Sequence, residues 1–231
     1  EIRGNPQRLD LTATRRLHAR AQSAGRPVFL LRQAAAPEPT AAPVDMAGIT
    51  TRPNNTQGDA KAPVTVIEYS DFQCEFCASF VRDTKPQLEA SYIKTGKVYF
   101  VYRDYPLAIH PGAKQAAAAA NCAADQAGFW PMHDRLYNGA VEGEWAGGDA
   151  ADRSVFLGYA QELKLNMDTF QSCLDATSAN EKRIQTDVAA GDRHFIIGTP
   201  TFLLNGNVVR GAHSYRVWQS LIDDRLAKLG K

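Results

Sequence analysis

The sequence lacks several features that would assign it to a large class of proteins. Its 231 residues carry a net charge of only +1, which argues against a general nucleic-acid-binding surface. No hydrophobic run reaches the length of a transmembrane helix. There is no internal repeat, no Ser-His-Asp order, no HExxH motif and no phosphate-binding glycine loop. The composition of the whole chain, 44% hydrophobic and 22% charged, is that of an ordinary globular protein.

Cysteine is also scarce, with four residues in the chain. An even number permits two disulfides, which would place the protein in the periplasm, at the cell surface or outside the cell. No secretory signal is visible, because the apolar run at residues 28–31 is too short. The chain does not begin with Met, so an exported protein that was membrane-anchored before processing is compatible with the sequence.

The chemistry is concentrated in residues 64–80, VTVIEYSDFQCEFCASF. The β-branched, apolar start predicts a buried strand, and the spacing of apolar residues from Cys74 onward predicts a helix. Cys74 would then lie at the first helical turn, where free N–H groups and the helix dipole stabilise a thiolate. Cys77 returns to the same face one turn later, within reach for a disulfide. This arrangement predicts a redox site.

Two other interpretations of the C-x-x-C motif remain open. It could be half of a zinc site, although structural zinc requires four ligands and commonly a second close pair. Cys122 and Cys173 are 51 residues apart and do not form such a pair. Alternatively, Cys74 and Cys77 could form a purely structural disulfide. We favour the redox site and predict neither a metal ion nor any other cofactor.

The pattern of elements divides the chain into four segments. They are an N-terminal arm and linker (1–60), a strand–helix–strand unit (61–107), a helical block (108–193), and a hairpin with a closing helix (194–231). The first unit predicts a parallel βαβ motif, and Asn205-Gly206 is a strong hairpin signal. The helical block would therefore be an insertion between two halves of one α/β domain.

The N-terminal arm is basic in its first half and rich in Ala, Pro, Thr and Asn in its second. Residues 9–21 allow a short amphipathic helix, and residues 28–32 allow a strand. A basic helix of this kind could contact anionic lipid at an envelope membrane. We favour the simpler interpretation of a solvated arm that packs on the domain or stays loose.

Three separated features together resemble the DsbA-like branch of the thioredoxin superfamily. They are Glu68 with Cys74-Glu-Phe-Cys77, the helical insertion, and the run Gly198-Thr199-Pro200-Thr201-Phe202 before the hairpin. The resemblance covers roughly residues 63–229. It implies an α/β protein, a thioredoxin fold with an inserted helical domain, whose family members exchange disulfides with proteins of the cell envelope.

The resemblance also implies roles for individual residues. Cys74 would be the exposed attacking cysteine, and Cys77 the buried resolving cysteine. Glu68 would be the buried acid beneath them, exchanging protons with Cys77 near neutral pH. Thr199-Pro200 would be the cis-proline dipeptide, whose loop pairs with an extended substrate.

The dipeptide between the cysteines departs from that of strongly oxidising relatives, some of which carry Pro-His. Glu75 places a negative charge beside the thiolate, which predicts a less depressed Cys74 pKa and a less oxidising pair. Phe76 is interpreted as an apolar contact for unfolded substrate. Among the histidines, His110 is expected to help cap a helix and His133 to pack on its own helix.

The resemblance further implies that Cys122 and Cys173 form a structural disulfide in the inserted domain. A second redox relay and two free buried thiols are the alternatives.

As a whole, the resemblance implies an exported protein thiol–disulfide oxidoreductase that introduces disulfides into unfolded or reduced proteins. It would act in the periplasm or extracytoplasmic envelope and be reoxidised by a membrane quinone-linked partner. The alternatives are a disulfide isomerase or reductase of the same fold, or a non-catalytic peptide-binding holdase.

Overall fold

The computed structural model describes residues 53–148 and 150–231. The strands are β1 (Thr56–Gln57), β2 (Val64–Ser70), β3 (Val98–Asp104), β4 (Thr201–Leu204) and β5 (Asn207–Arg210). The α-helices are α1 (Glu75–Asp83), α2 (Lys85–Leu88), α3 (Ala113–Ala124), α4 (Phe129–Glu142), α5 (Ala150–Glu162), α6 (Met167–Asp175), α7 (Thr177–Arg193) and α8 (Tyr215–Lys228). The helix and strand predicted within residues 9–32, and any membrane contact there, lie outside the described residues.

The strands form one mixed sheet in the order β1-β3-β2-β4-β5. Strands β2 and β3 are parallel, and every other neighbouring pair is antiparallel. Helices α3–α7 all lie between β3 and β4 in the chain. The predicted thioredoxin-like α/β fold with a helical insertion is therefore confirmed, while the four domain boundaries remain a prediction.

The central strand β2 is covered on both faces. Its side chains alternate, so Val64 and Val66 pack with Phe80 of α1 and Trp218 of α8. On the opposite face, Ile67 and Tyr69 pack with Val101, Ile196 and Leu203. Glu68 shares the face of Val66, opposite Tyr102 of β3 and Phe202 of β4. The alternation thus carries an acidic side chain into the core.

The helix predicted from Cys74 to about residue 95 is divided in the structure. Helix α1 ends at Asp83, Thr84 leaves helical geometry with φ −116°, and α2 follows with Pro86 in its first turn. Because Pro86 has no N–H to donate to the carbonyl of Arg82, the break falls just before the proline. A π-helix, Glu89–Ile93, continues the chain toward β3.

The insertion has its own core around the alanine-rich helix α3. The small side chains of Ala116, Ala119 and Ala120 are fully buried, which allows neighbouring helices to approach closely. Helix α7 is also joined to the sheet by a buried ion pair, with Arg103 Nη1 2.7 Å from Asp187 Oδ1. Within residues 53–148 and 150–231, no helix is both long and apolar enough to cross a membrane.

The hairpin between β4 and β5 has a two-residue turn. Asn205 and Gly206 both have positive φ, 44° and 85°, as the tight turn requires. The Asn205 side chain also receives a 2.6 Å hydrogen bond from the Thr65 N–H, which ties the turn to β2. Strand β1, by contrast, lies within the predicted linker, because two residues are too few to produce a sequence pattern.

Candidate active site

Cys74 is the N-cap residue of α1. Its backbone is extended (φ −78°, ψ 122°), its carbonyl accepts a 3.0 Å hydrogen bond from Ala78 N–H, and its N–H donates to Asp71 O at 3.1 Å. The sulfur therefore lies at the positive end of the helix, beside the N–H groups of Phe76 and Cys77, which have no carbonyl partner within the helix. Any anion formed on this sulfur is stabilised there.

The two thiols of the motif have opposite acid–base properties. A hydrogen bond with Cys77 is the largest cause that lowers the pKa of Cys74 to about 6, against the opposing effect of partial burial. Thr199 and the N–H groups of Phe76 and Cys77 lower it further. Cys77 is fully buried, and burial raises its pKa well above the ordinary value. The Cys74 sulfur is thus a thiolate nucleophile near neutral pH, whereas the Cys77 thiol keeps its proton.

Cys74 is less exposed than the resemblance implies. The residue is only 5% exposed, because the loop that precedes β4 lies over it. The Sγ atom of Cys74 is 3.4 Å from the carbonyl oxygen of Thr199, and the Thr199–Pro200 peptide bond is cis. The expectation of an exposed sulfur was wrong, since the adjacent loop was not considered as a cover.

Glu68 is fully buried in a cluster of hydroxyl groups. Its Oε1 atom accepts a 2.7 Å hydrogen bond from Ser70, whose hydroxyl is 2.9 Å from that of Tyr137. Tyr102 continues the cluster at 3.4 Å from Tyr137. Burial raises the pKa of Glu68 to about 7, and the hydrogen bond from Ser70 and the charge of Lys85 oppose that rise. The carboxyl can therefore gain or lose a proton near neutral pH.

Sequence analysis missed several of these residues. Ser70 could have been found, because it lies two residues after Glu68 on the same strand face. Tyr137 and Lys85 come from α4 and α2, and only the tertiary fold brings them near the carboxyl. Lys85 is buried with its Nζ atom 4.5 Å above the ring of Trp130 and 3.8 Å from Glu89 Oε2.

His133 lies in an aromatic cage below the active-site loop, which agrees with its expected role in packing. Its ring contacts the rings of Phe72, Tyr102, Phe129, Trp130 and Tyr137. Burial lowers the pKa of His133 to about 4, although a 2.7 Å hydrogen bond with Asp134 favours the charged form. The imidazole is therefore neutral over most of the physiological range.

The loop that leads from β2 to Cys74 is attached to the helical insertion. Asp71 Oδ2 accepts a 2.7 Å hydrogen bond from Leu107 N–H and lies 2.8 Å from His110 Nδ1. Gln73 accepts a 2.8 Å hydrogen bond from Gly112 N–H and donates one of 3.0 Å to Ala146 O. The His110 side chain thus binds the active-site loop, while its carbonyl accepts a 3.3 Å hydrogen bond from Ala113 N–H at the start of α3.

Cys122 and Cys173 are joined by a disulfide bond, with an S–S distance of 1.99 Å, between α3 and α6. Their sulfurs are therefore not available as metal ligands. In the part of the chain that the structure describes, no group of three or more His, Cys, Asp and Glu side chains could hold a metal ion.

Four large apolar side chains are exposed on the loops and helix turn of this region. Phe76 lies between the two cysteines, Ile109 on the loop after β3, and Phe195 and Ile197 just before Thr199. Phe76 is 59% exposed and Ile197 82% exposed. Large exposed apolar side chains next to a reactive group are available for contact with other proteins.

The family model described as Thioredoxin matches residues 50–224. The chain belongs to the thioredoxin family. Its fold is DsbA-like: the structure of α-DsbA1 from Wolbachia pipientis is similar with a TM-score of 0.68, at 24% identity, over 78% of this chain and 94% of that one. Oxidised BdbD from Bacillus subtilis gives a TM-score of 0.65 at 24% identity, over 75% and 92% of the two chains.

Sequence relatives of this thioredoxin-family chain include disulfide bond formation proteins and Na⁺/H⁺ antiporters. Disulfide bond formation protein D of Bacillus subtilis is 27% identical, over 73% of this chain and 75% of that protein. A Na⁺/H⁺ antiporter, NhaA 1 of Salinispora arenicola, is 35% identical over 75% of this chain. The chain spans about a quarter of the length of that antiporter, 25%. Similarity to the antiporter is thus confined to a small part of the transporter.

Proposed function

We propose that this thioredoxin-family chain is an exported protein thiol–disulfide oxidoreductase that introduces disulfides into reduced proteins. The observation that carries the proposal is the contrast between Cys74, with its pKa near 6, and the buried, protonated Cys77. A thiolate stabilised at the helix N-terminus favours the reduced form of the pair, so the disulfide form readily accepts electrons. This property is expected of an oxidase.

In the oxidase direction, a substrate thiolate attacks Sγ of Cys74 in the Cys74–Cys77 disulfide. The S–S bond breaks, and the electron pair leaves on the sulfur of Cys77, which takes up a proton. Glu68 is the proton donor, because its pKa is about 7 and Ser70 interacts with both groups. A second substrate thiolate then attacks the substrate sulfur of the mixed disulfide and releases Cys74 as a thiolate.

Thr199 and Pro200, together with Glu75 and Phe76, form the proposed contact surface for the substrate. The Thr199 carbonyl already lies beside the sulfur of Cys74, where an extended peptide would have to pass. Phe76 and Ile197 offer apolar contacts, which suit the exposed side chains of an unfolded protein. Glu75 is exposed on the same helical turn and would disfavour acidic substrate residues.

We further propose that the protein acts in the periplasm or another extracytoplasmic part of the envelope, with a membrane quinone-linked oxidase as its partner. Each cycle leaves two electrons on the Cys74–Cys77 pair, and a second protein must remove them. The relative named disulfide bond formation protein D supports this direction of transfer.

The alternative is a reductase or isomerase of the same fold, in which the Cys74 thiolate attacks first. Glu75, whose negative charge opposes the thiolate, favours this alternative. The two functions differ in the reduction potential of the pair, which equilibration in glutathione buffers measures, with peptide mapping to assign the bonds. A potential toward about −120 mV supports the oxidase, and one near about −270 mV supports a reductase.

A Cys74→Ser variant is the control in the same buffers, because it retains the fold without the nucleophile. If the wild-type pair does not exchange with glutathione at all, the oxidoreductase proposal fails. The exposed apolar side chains would then favour a peptide-binding holdase, whose activity in preventing aggregation of unfolded proteins would survive the Cys74→Ser substitution.

A further inference from the structure

Asp71 is a buried carboxylate three residues before Cys74. It forms three hydrogen bonds: Oδ1 accepts from Gln73 N–H at 2.7 Å, and Oδ2 pairs with Leu107 N–H at 2.7 Å and His110 Nδ1 at 2.8 Å. Its backbone carbonyl accepts the hydrogen bond from Cys74 N–H. The position of Asp71 therefore sets the position of the backbone that begins α1.

The Asp71 carboxylate is buried, so the loop that leads to Cys74 is held by the groups that bind this side chain. Two of those groups are backbone N–H groups, of Gln73 and Leu107. Only His110 binds Asp71 through a side chain, so it is the contact that a substitution can remove. His110 is partly exposed, and no further hydrogen bond of its side chain occurs among residues 53–148 and 150–231.

We propose that His110 is a positioning residue for thiol–disulfide exchange, which acts through Asp71. Its contact with Asp71 holds the loop that carries Cys74 against the chain after β3. The proposal rests on the proposed exchange function of the Cys74–Cys77 pair. It assigns a role to a residue outside the C-x-x-C motif, the buried acid and the loop before β4.

Two substitutions test the hydrogen bond between His110 and Asp71. His110→Leu removes the donor. His110→Asn places an amide N–H near the position of Nδ1, so it keeps a donor to Asp71. His213→Leu is the matched control, because no hydrogen bond or ion pair of the His213 side chain occurs in the described ranges.

The full chain of each variant is titrated in the reduced state by the ultraviolet absorbance of the thiolate, and equilibrated with glutathione at pH 7. Without the contact between His110 and Asp71, the loop is free to move Cys74 away from the first turn of α1, whose N–H groups lower the pKa of its thiol. We therefore expect His110→Leu to raise the pKa of Cys74 by about one, and to lower the equilibrium constant for oxidising glutathione about fivefold. His110→Asn should stay within about 0.3 of the wild-type pKa, and His213→Leu should not change it.

A His110→Leu protein whose Cys74 titrates as in the wild type would overturn the proposal, and so would an equal change in His213→Leu. If His110→Leu does not fold, His110→Ala, which also removes the donor, decides: a rise of about 0.3 or more supports the proposal, and a smaller change refutes it. Failure of the proposed exchange function gives a different result, because the Cys74–Cys77 pair would then not exchange with glutathione in the wild type or in any of these variants.

Discussion

The hydroxyl group of Ser70 is the only hydrogen-bond donor that the described residues offer to the Glu68 carboxyl. It donates to Oε1 at 2.7 Å, while Oε2 is buried without a hydrogen-bond partner in the same residues. One donor compensates poorly for the water that a carboxylate loses on burial. Desolvation therefore dominates, and the pKa of Glu68 rises to about 7.

We predict that Glu68→Gln stabilises the reduced protein above neutral pH. Because the folded state raises the pKa from 4.5 to about 7, it binds the proton more tightly than the unfolded chain does. The contribution of Glu68 to stability is therefore full below about pH 4.5 and is lost as the pH rises to about 7, by at most about 3 kcal/mol. The difference in free energy of unfolding between the variant and the wild type, measured by urea denaturation, should shift in favour of the variant by about 1–3 kcal/mol from pH 4 to pH 8.

The exposed residue Glu142 provides the control for this experiment, because Glu142→Gln changes the same functional group in solvent. A stability difference between Glu68→Gln and the wild type that stays constant from pH 4 to pH 8 would contradict the prediction.

We predict the opposite pH dependence for His133. Its pKa falls from 6.5 to about 4 in the folded state, so the unfolded chain binds the proton more tightly. The contribution of His133 to stability is then fully present above about pH 6.5 and is lost as the pH falls to about 4, again by about 3 kcal/mol. His133→Leu should remove this loss, so the stability of the variant should decline more steeply with rising pH than that of the wild type.

The effects of Glu68 and His133 oppose each other between about pH 4.5 and 6.5, which should make wild-type stability nearly independent of pH there. Each single variant should lose this flat profile. The double variant Glu68→Gln/His133→Leu should show it again in urea denaturation. A wild-type profile as steep as that of either single variant would show that the two groups do not compensate.

We predict that Cys77→Ala accumulates mixed disulfides through Cys74, because no second thiol is present to resolve them. The same substitution removes the hydrogen bond that contributes most to the low pKa of Cys74, so the thiolate should titrate about 1–2 pH units higher. Non-reducing gels and thiolate absorbance measure the two effects. Cys74→Ser is the control, and adducts on that variant would mean that Cys77 is the attacking residue.

We predict that the double variant Cys122→Ala/Cys173→Ala is less stable than the wild type but keeps its redox activity. The disulfide joins residues that are 51 positions apart, and closing a loop of that length contributes about 4 kcal/mol in the chain-entropy model. Urea denaturation measures the loss, and glutathione equilibration at moderate temperature measures exchange by Cys74. A changed reduction potential in the double variant would instead indicate a redox relay between the two disulfides.

The sequence predicted the fold well, because its signals were local and strong. β-branched residues before Cys74, the Asn205-Gly206 turn and the alanine-rich helix α3 each follow from patterns within a few residues. The separated features that resemble the family then fixed the order of the elements. The division of the first helix near Pro86 also follows from the sequence, since a proline disturbs the turn that precedes it.

The candidate site was less predictable, because much of it is assembled by tertiary contacts. Glu68, Cys74 and Cys77 lie within ten residues, and a motif could find them. The cage around His133, the hydroxyl groups at Glu68 and the Asp71–His110 contact join elements distant in the chain. The cover over Cys74 was missed for the same reason, as residue 199 lies 125 positions away.

Because residue 199 follows Cys74 by 125 positions, the site around Cys74 is completed late in the synthesis of the chain. Strand β4 completes the sheet beside β2, yet it is synthesised only after the whole helical insertion. A ribosome-bound chain that ends before residue 199 holds both cysteines of the motif but not the carbonyl that lies beside Cys74. Such non-local pairing forms late in folding. Until the last few dozen residues have been translated, the nascent C-x-x-C therefore lacks the loop that lies over Cys74 in the folded protein.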